Sequence, residues 1–290
     1  MSFIAIDLDG TLLNGQNEIS EENRNAIHYA QEQGFEVVIS TGRAYFDVQT
    51  ICKKAGISPC IIGTNGATIH SNDGKMLSSI PISKERVESI LKWLDERDFY
   101  YEVFTDKAIY TLKKRREFFY HEIQQLKSAD LDRDQKKIAA EAERQFDQFG
   151  FVLVENYPDI LKQKEEVFNI VACSFNQKKL AEAWNRFDMI GELGVVSSAD
   201  HNIEITNKGA SKGNALEKMA FLMNVSLEQS MAIGDSNNDL SMFRKVGYSV
   251  AMENAKDDIK AVCTTTTLKN DENGVAHAIY QFMENFALQN

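Results

Sequence analysis

Three short apolar runs, each ending abruptly in polar residues, constrain this chain most. Phe3-Ile4-Ala5-Ile6 leads into Asp7-Leu8-Asp9-Gly10-Thr11, Val37-Val38-Ile39 into Ser40-Thr41-Gly42-Arg43, and Met231-Ala232-Ile233 into Gly234-Asp235-Ser236-Asn237-Asn238-Asp239. A strand that is apolar at every position is covered on both faces, as in sheets flanked by helices on each side. Helical stretches lie between the runs: Glu21 to Gln33, opened by Ser20, and Tyr45 to Ala55, followed by a further short strand at Cys60 to Ile62. Strands that alternate with helices build parallel βαβ units. Ligands of such open sheets bind outside the carboxyl ends of the strands, so the three polar ends are expected to meet in one crevice.

The pattern changes near Pro81. Aromatic-rich strands follow at Phe99 to Phe104 and Ala108 to Leu112, then a polar helical stretch from Glu117 to Phe149 and strands at Val152 to Glu155 and Phe168 to Phe175. After Thr206 the first style resumes, with a helix at Lys212 to Met223, strands at Ser230 to Ile233 and Tyr248 to Ala251, a helix at Asp239 to Val246 between them, and a last helix from Val275. The expected fold is α/β: a Rossmann-like, doubly wound parallel-sheet core from residues 1–82 and 206–290, interrupted by an inserted α/β cap at 83–205. With 290 residues, 43% of them hydrophobic, the chain can fill two cores and is too apolar to be disordered.

Lys plus Arg at 32 against Asp plus Glu at 43 leaves a net charge of −11, which repels nucleic acid and anionic lipid. No stretch approaches the roughly 18 apolar residues of a membrane span, and Met1-Ser2-Phe3-Ile4 lacks the start of a signal peptide. The expected compartment is the cytoplasm, and the expected partner is a small molecule. Cys52, Cys60, Cys173 and Cys263 form no CxxC pair, which suits reduced thiols better than a zinc site or disulfides.

Asp7, Asp9, Asp235 and Asp239 would share the crevice, and like charges so close stay ionised only beside a cation. An all-oxygen set suits Mg²⁺, which keeps several waters and commonly shares a substrate phosphate. The Thr41 hydroxyl, the Gly42 N–H and Lys212, in Gly209-Ala210-Ser211-Lys212-Gly213 at a helix start, are groups that hold phosphate. The economical chemistry is in-line attack by a carboxylate on phosphorus, giving an aspartyl-phosphate that water then hydrolyses. Asp7, at the strand end, is placed to be nucleophile and metal ligand. Asp9, two residues on, is placed to protonate the leaving alkoxide and later to deprotonate the water.

In order, Asp7-Leu8-Asp9-Gly10-Thr11, Ser40-Thr41-Gly42-Arg43, Lys212 and Gly234-Asp235-Ser236-Asn237-Asn238-Asp239 resemble the four motifs of haloacid dehalogenase-superfamily phosphatases. The long insertion between the second and third, with Thr64-Asn65-Gly66-Ala67, resembles the Cof-type subfamily with an α/β cap. The resemblance implies Mg²⁺-dependent phosphomonoester hydrolysis of a small phosphorylated metabolite. It makes Asp7 the nucleophile and a metal ligand, Asp9 the acid/base with its backbone carbonyl on the metal, Asp235 a further ligand, and Asp239 a support of the metal shell. The Leu8 backbone, the Thr41-Gly42 turn, Lys212 and Asn238 would hold the phosphoryl group, with Asn65 in support. Arg43 stays open between an ion-pair partner and a substrate contact. Tyr100-Tyr101-Glu102-Val103-Phe104-Thr105 and Val196-Ser197-Ser198-Ala199-Asp200-His201-Asn202 resemble bacterial members assigned to 5-amino-6-(5-phospho-D-ribitylamino)uracil dephosphorylation. Rival expectations are a sugar-phosphate phosphatase, a phosphotransferase or mutase, and, from another class, a phosphate-binding regulatory module.

Other features read more blandly. The spacing after Asp7 rejects a calcium-binding EF-hand loop, and the segment around Lys212 lacks the spacing of a Walker A loop. Lys113-Lys114-Arg115-Arg116 reads as a solvated face. Phe99, Tyr100, Tyr101, Phe104 and Tyr110 read as packing on the cap sheet, and His28, His70, His121, His201 and His277 are isolated from one another.

Overall fold

The computed structural model describes residues 2–128, 140, 143, 146 and 148–289, and the chain divides into two compact units, Met1–Ser79 with Ala210–Asn290, and Ile80–Gly209. The second unit therefore takes in residues 80–82 and 206–209, which the sequence reading gave to the core. Pairing is the reason: Ile82 N–H bonds the Val167 carbonyl at 2.8 Å, and Asn207 Nδ2 donates to the Pro81 carbonyl at 3.0 Å.

The first unit is built on an eight-stranded sheet in the order Thr265–Thr266, Tyr248–Ala251, Ser226–Gly234, Ser2–Ile6, Glu36–Ser40, Cys60–Gly63, Thr68–His70, Met76–Ser79. Every pairing from Thr265–Thr266 to Cys60–Gly63 is parallel, while the last two strands join antiparallel. That edge hairpin is short and partly polar, which is why no strand signal stood out there.

Alternation explains the unbroken apolar runs. Ile4, Ile6, Val37, Ile39, Met231 and Ile233 enter a core with Ala26, Ile27 and Ala30 of helix Glu21–Glu32 and Val275 and Ile279 of helix Gly274–Gln289. Phe3, Ala5, Val38 and Ala232 point the other way, onto Ala215, Leu216 and Met219 of helix Lys212–Met223. Each such side chain fully removed from water contributes about 1.5–3 kcal/mol, so a polar substitution on either face of the Ser2–Ile6 strand would be costly. Helix Glu21–Glu32 starts where the sequence placed it, with Ser20 Oγ accepting from Asn23 N–H at 3.1 Å. The stretch from Asp239 to Val246 is shorter in helix than expected: one 3₁₀ turn, Asn237–Asp239, precedes a single α turn, Leu240–Phe243.

The second unit carries a six-stranded sheet ordered Leu193–Val196, Asn202–Asn207, Val167–Cys173, Tyr100–Thr105, Ile109–Leu112, Phe151–Val154. One face is apolar, with Tyr101, Val103, Ile170, Ala172, Ile203 and Ile205 packed with residues of helices Lys84–Asp95 and Gln177–Asp188. The opposite face is polar and buried: Tyr100 Oη donates to Glu102 Oε1 at 2.6 Å, and Asn169 Nδ2 to Glu204 Oε2 at 2.8 Å. Phe99, Tyr100, Tyr101, Phe104 and Tyr110 are all buried, and Phe119 stacks on Tyr100. The helix expected from Glu117 to Phe149 begins earlier, running Lys113–Ser128; Gln148 and Phe149 are not helical, and most positions between lie outside the described residues. Among the described residues no helix is long and apolar enough to cross a membrane.

Candidate active site

Three parallel strands end at one level because Ile6 is in register with both Ile39 and Ile233. The residues that follow stay tied to neighbouring strands: Asp7 N–H bonds the Ile233 carbonyl and Thr41 N–H the Ile62 carbonyl, each at 2.9 Å. With strands about 4.8 Å apart, this brings Asp7, Ser40 and Gly234 to one edge. The chain then leaves Asp7 in a wide turn, Leu8–Leu12, in which Gly10 adopts φ 77°. A Cβ there would lie 2.5 Å from Asp235 Oδ2, so only glycine lets the turn lie against that carboxylate.

Lys212 is the centre of the buried charge. It begins helix Lys212–Met223, capped by Ser211, and its Nζ donates to Asp7 Oδ1 and to Asp239 Oδ1, each at 2.6 Å, with no side-chain exposure. Asp239 spends its other oxygen on the Asp235 and Ser236 N–H groups, both at 3.0 Å. Gly66, at φ 93°, permits the close approach behind Lys212, since a Cβ there would meet the Ser211 carbonyl oxygen at 2.2 Å.

Asp7 is buried, and among the described residues its Oδ2 has no hydrogen-bond partner. Burial, then Asp239, lift its pKa to about 7 in spite of Lys212. Burial, then Asp7 and Asp239, push Asp235 well above the ordinary carboxylate range. Burial works against the charge on Lys212, yet Asp239 and Asp7 outweigh it and hold the ammonium above the usual lysine value. Asp7, Asp235 and Asp239 each offer an oxygen within 4.8 Å of the others, a group that could hold a metal ion. The donor chemistry fits a hard cation best at Asp7 and Asp235, because the Asp239 oxygens are engaged by Lys212 and backbone N–H groups.

The remaining sequence-selected residues surround this centre. Thr41 is fully buried and its Oγ1 accepts from Arg43 N–H at 3.2 Å. Leu8 is buried, Gly42 lies in the turn between Thr41 and Arg43, and Asn238 Nδ2 donates to Asn65 Oδ1 at 3.1 Å. The Asp9 carboxylate, half exposed, is bonded by the Arg43 guanidinium through Nε and Nη2. Three contributors were not picked out from sequence. Thr11 Oγ1 donates to Asp235 Oδ1 at 3.3 Å, Asp47 lies behind Arg43, and Asn254 Nδ2 donates to the Gly10 carbonyl at 2.8 Å. Asp47 had one available signal, its i,i+4 spacing from Arg43 at a helix start.

The family model of haloacid dehalogenase-like hydrolases matches residues 4–279. The chain belongs to that family. It is 44% identical over 279 residues to the phosphatase YwpJ of Bacillus subtilis, covering 96% of this chain and 98% of the relative. It is 38% identical over 283 residues to the 5-amino-6-(5-phospho-D-ribitylamino)uracil phosphatase YwtE of the same organism, covering 98% of each. A solved haloacid dehalogenase-like hydrolase from B. subtilis superposes with a TM-score of 0.86 at 43% identity, covering 97% of this chain and 99% of that one. This haloacid dehalogenase-like hydrolase thus has relatives named as phosphatases at full length.

Lys212 offers a test of the buried charges. Replacing it with Met leaves Asp7 and Asp239 buried without their shared cation, and breaking a buried pair in this way costs about 3–5 kcal/mol. Lys212→Met should therefore lower the unfolding midpoint in urea. The deficit should shrink as the pH falls, because a proton then neutralises the stranded Asp7 carboxylate, which burial already makes easier to protonate. A midpoint unchanged at pH 8 would show that the ammonium contributes little.

Proposed function

We propose that this enzyme hydrolyses a phosphomonoester of a small metabolite through an aspartyl-phosphate on Asp7, with Mg²⁺ as cofactor. The observation that carries the reading is the state of Asp7: one oxygen on Lys212, the other buried, unpartnered and beside Asp235. Bound among Asp7, Asp235 and the Asp9 backbone carbonyl, the ion would neutralise the carboxylates and polarise a phosphoryl oxygen.

The side chains have distinct tasks. The Asp7 carboxylate attacks phosphorus, a P–O bond to Asp7 forms, and the ester P–O bond breaks. Asp9 gives its proton to the departing alkoxide. In the second half a water attacks phosphorus, its proton goes to Asp9, and the bond to Asp7 breaks, so both carboxyls return to their starting states. Lys212, Thr41, the Leu8 and Gly42 N–H groups and Asn238 hold the phosphoryl oxygens. Asp239 keeps Lys212 in place, and Asn65 keeps Asn238.

Selectivity is assigned to the second unit, residues 80–209. The relative YwtE supports 5-amino-6-(5-phospho-D-ribitylamino)uracil as the first candidate substrate. The test is a panel of phosphorylated metabolites assayed for free phosphate and for phosphorylated acceptor. Multiple turnovers yielding free phosphate are expected, with kcat/KM highest on the ribitylaminouracil phosphate. Transfer to an added sugar would make it a phosphotransferase, and a phosphoprotein persisting for hours without turnover would make it a regulatory module. A large kcat/KM advantage for sugar phosphates would exclude the flavin-type substrate.

A further inference from the structure

Arg43 sits in the turn that follows strand Glu36–Ser40, and its backbone is fixed on both sides: its N–H donates to Thr41 Oγ1 and its carbonyl accepts from Thr64 N–H at 2.9 Å. Its guanidinium grips the Asp9 carboxylate with a two-pronged fork, Nε to Oδ2 at 2.8 Å and Nη2 to Oδ1 at 2.7 Å. The third nitrogen, Nη1, donates to Asp47 Oδ2 at 2.9 Å. The side chains of Arg43 and Asp47 are 11% and 4% exposed, whereas that of Asp9 is 51% exposed.

These numbers describe an anchored clamp. A solvent-facing aspartate on a turn ordinarily samples several rotamers. Here a rigid planar fork, itself pinned from behind by a buried carboxylate, restricts Asp9 to one orientation. A lysine could supply the charge but not the fork.

We infer that Arg43, braced by Asp47, is a positioning residue that holds the Asp9 carboxyl for proton transfer to the leaving oxygen: for the acid step Asp9 carries its proton on Oδ1, giving up the Nη2 bond, while Nε keeps Oδ2 in place. The inference rests on the proposed acid/base role of Asp9. Asp9 and Arg43 come from the ends of adjacent strands, so the pair also links the acid/base turn to the Thr41-Gly42 phosphate turn.

The test exploits leaving groups. kcat/KM reports every step up to departure of the leaving group, and 2,4-dinitrophenolate departs without a proton whereas an alkoxide needs one. Arg43→Gln and Arg43→Lys should each lower kcat/KM for an alkyl phosphate by about 10–100-fold. On 2,4-dinitrophenyl phosphate both should stay within about threefold of wild type, a range too small to involve lost proton transfer. Asp47→Asn should show the same selectivity in weaker form, and Asp9→Asn in stronger form. Equal losses on both substrates in the Arg43 variants, or recovery in Arg43→Lys, would overturn the clamp and make Arg43 a contact of the phosphoryl group or a source of charge alone. If Asp9→Asn itself proves indifferent to the leaving group, the acid/base reading fails and the clamp fails with it. A selective Asp9→Asn beside unselective Arg43 variants condemns the clamp alone.

Discussion

Asp7→Asn should reduce phosphatase turnover by at least about 10⁴-fold while leaving the protein folded. The amide is isosteric with the carboxylate and can still accept from Lys212, so the packing around it is kept. What it lacks is the proposed nucleophilic oxygen, and with it the proposed covalent step that would divide one hard displacement into two easier ones. The wild-type carboxyl is held near a pKa of about 7 by burial and by Asp239, so its charged form is strained there. Removing that charge should leave the melting temperature unchanged or higher, the pattern of a residue kept for chemistry at a cost in stability. Acid quenching of the wild type during turnover should also trap phosphate on Asp7, released by hydroxylamine. Turnover within tenfold of wild type in Asp7→Asn would remove Asp7 from the mechanism.

Metal removal should have the next largest effect. Chelation with EDTA is expected to lower turnover by about 10³-fold, the equivalent of the several kcal/mol that a bound cation supplies to phosphoryl transfer, and added Mg²⁺ should restore it. Protons compete for the same oxygens. The Asp7 pKa of about 7, raised first by burial, means that below this pH the cation must displace a proton. Half-saturating Mg²⁺ should therefore be nearly constant above pH 8 and rise as the pH falls, by up to about tenfold per unit for each proton displaced. Full activity in EDTA, or a Mg²⁺ requirement independent of pH between 5.5 and 8, would contradict this use of Asp7 and Asp235.

The core was readable because its strands are buried on both faces and so are marked by uninterrupted apolar residues, Phe3 to Ile6 above all. Their ends then identified Asp7, Thr41 and Asp235 as neighbours before any distance was known. Distances were needed for the rest. Lys212 was selected as a phosphate group, and only the structure shows its ammonium lodged between Asp7 and Asp239. Asp47 is a single acidic residue in an amphipathic helix, a pattern that usually means a wet surface, yet it is buried against Arg43. The Thr68–His70 and Met76–Ser79 hairpin escaped notice because strands so short carry too few residues for a periodic signal.

The pairing of Ser2–Ile6 with Ser226–Gly234 bears on biosynthesis. A ribosome that has just made Asp7 must add the whole inserted unit before it makes Ile233, whose carbonyl receives the Asp7 amide. At about 5–20 residues per second, that interval is roughly 10–45 s. The contiguous Ile80–Gly209 unit can emerge and fold during this wait, while the first strands remain without their central partner. Nascent chains released before residue 233 would then present a finished insert and lack the Asp235–Asp239 part of the candidate site.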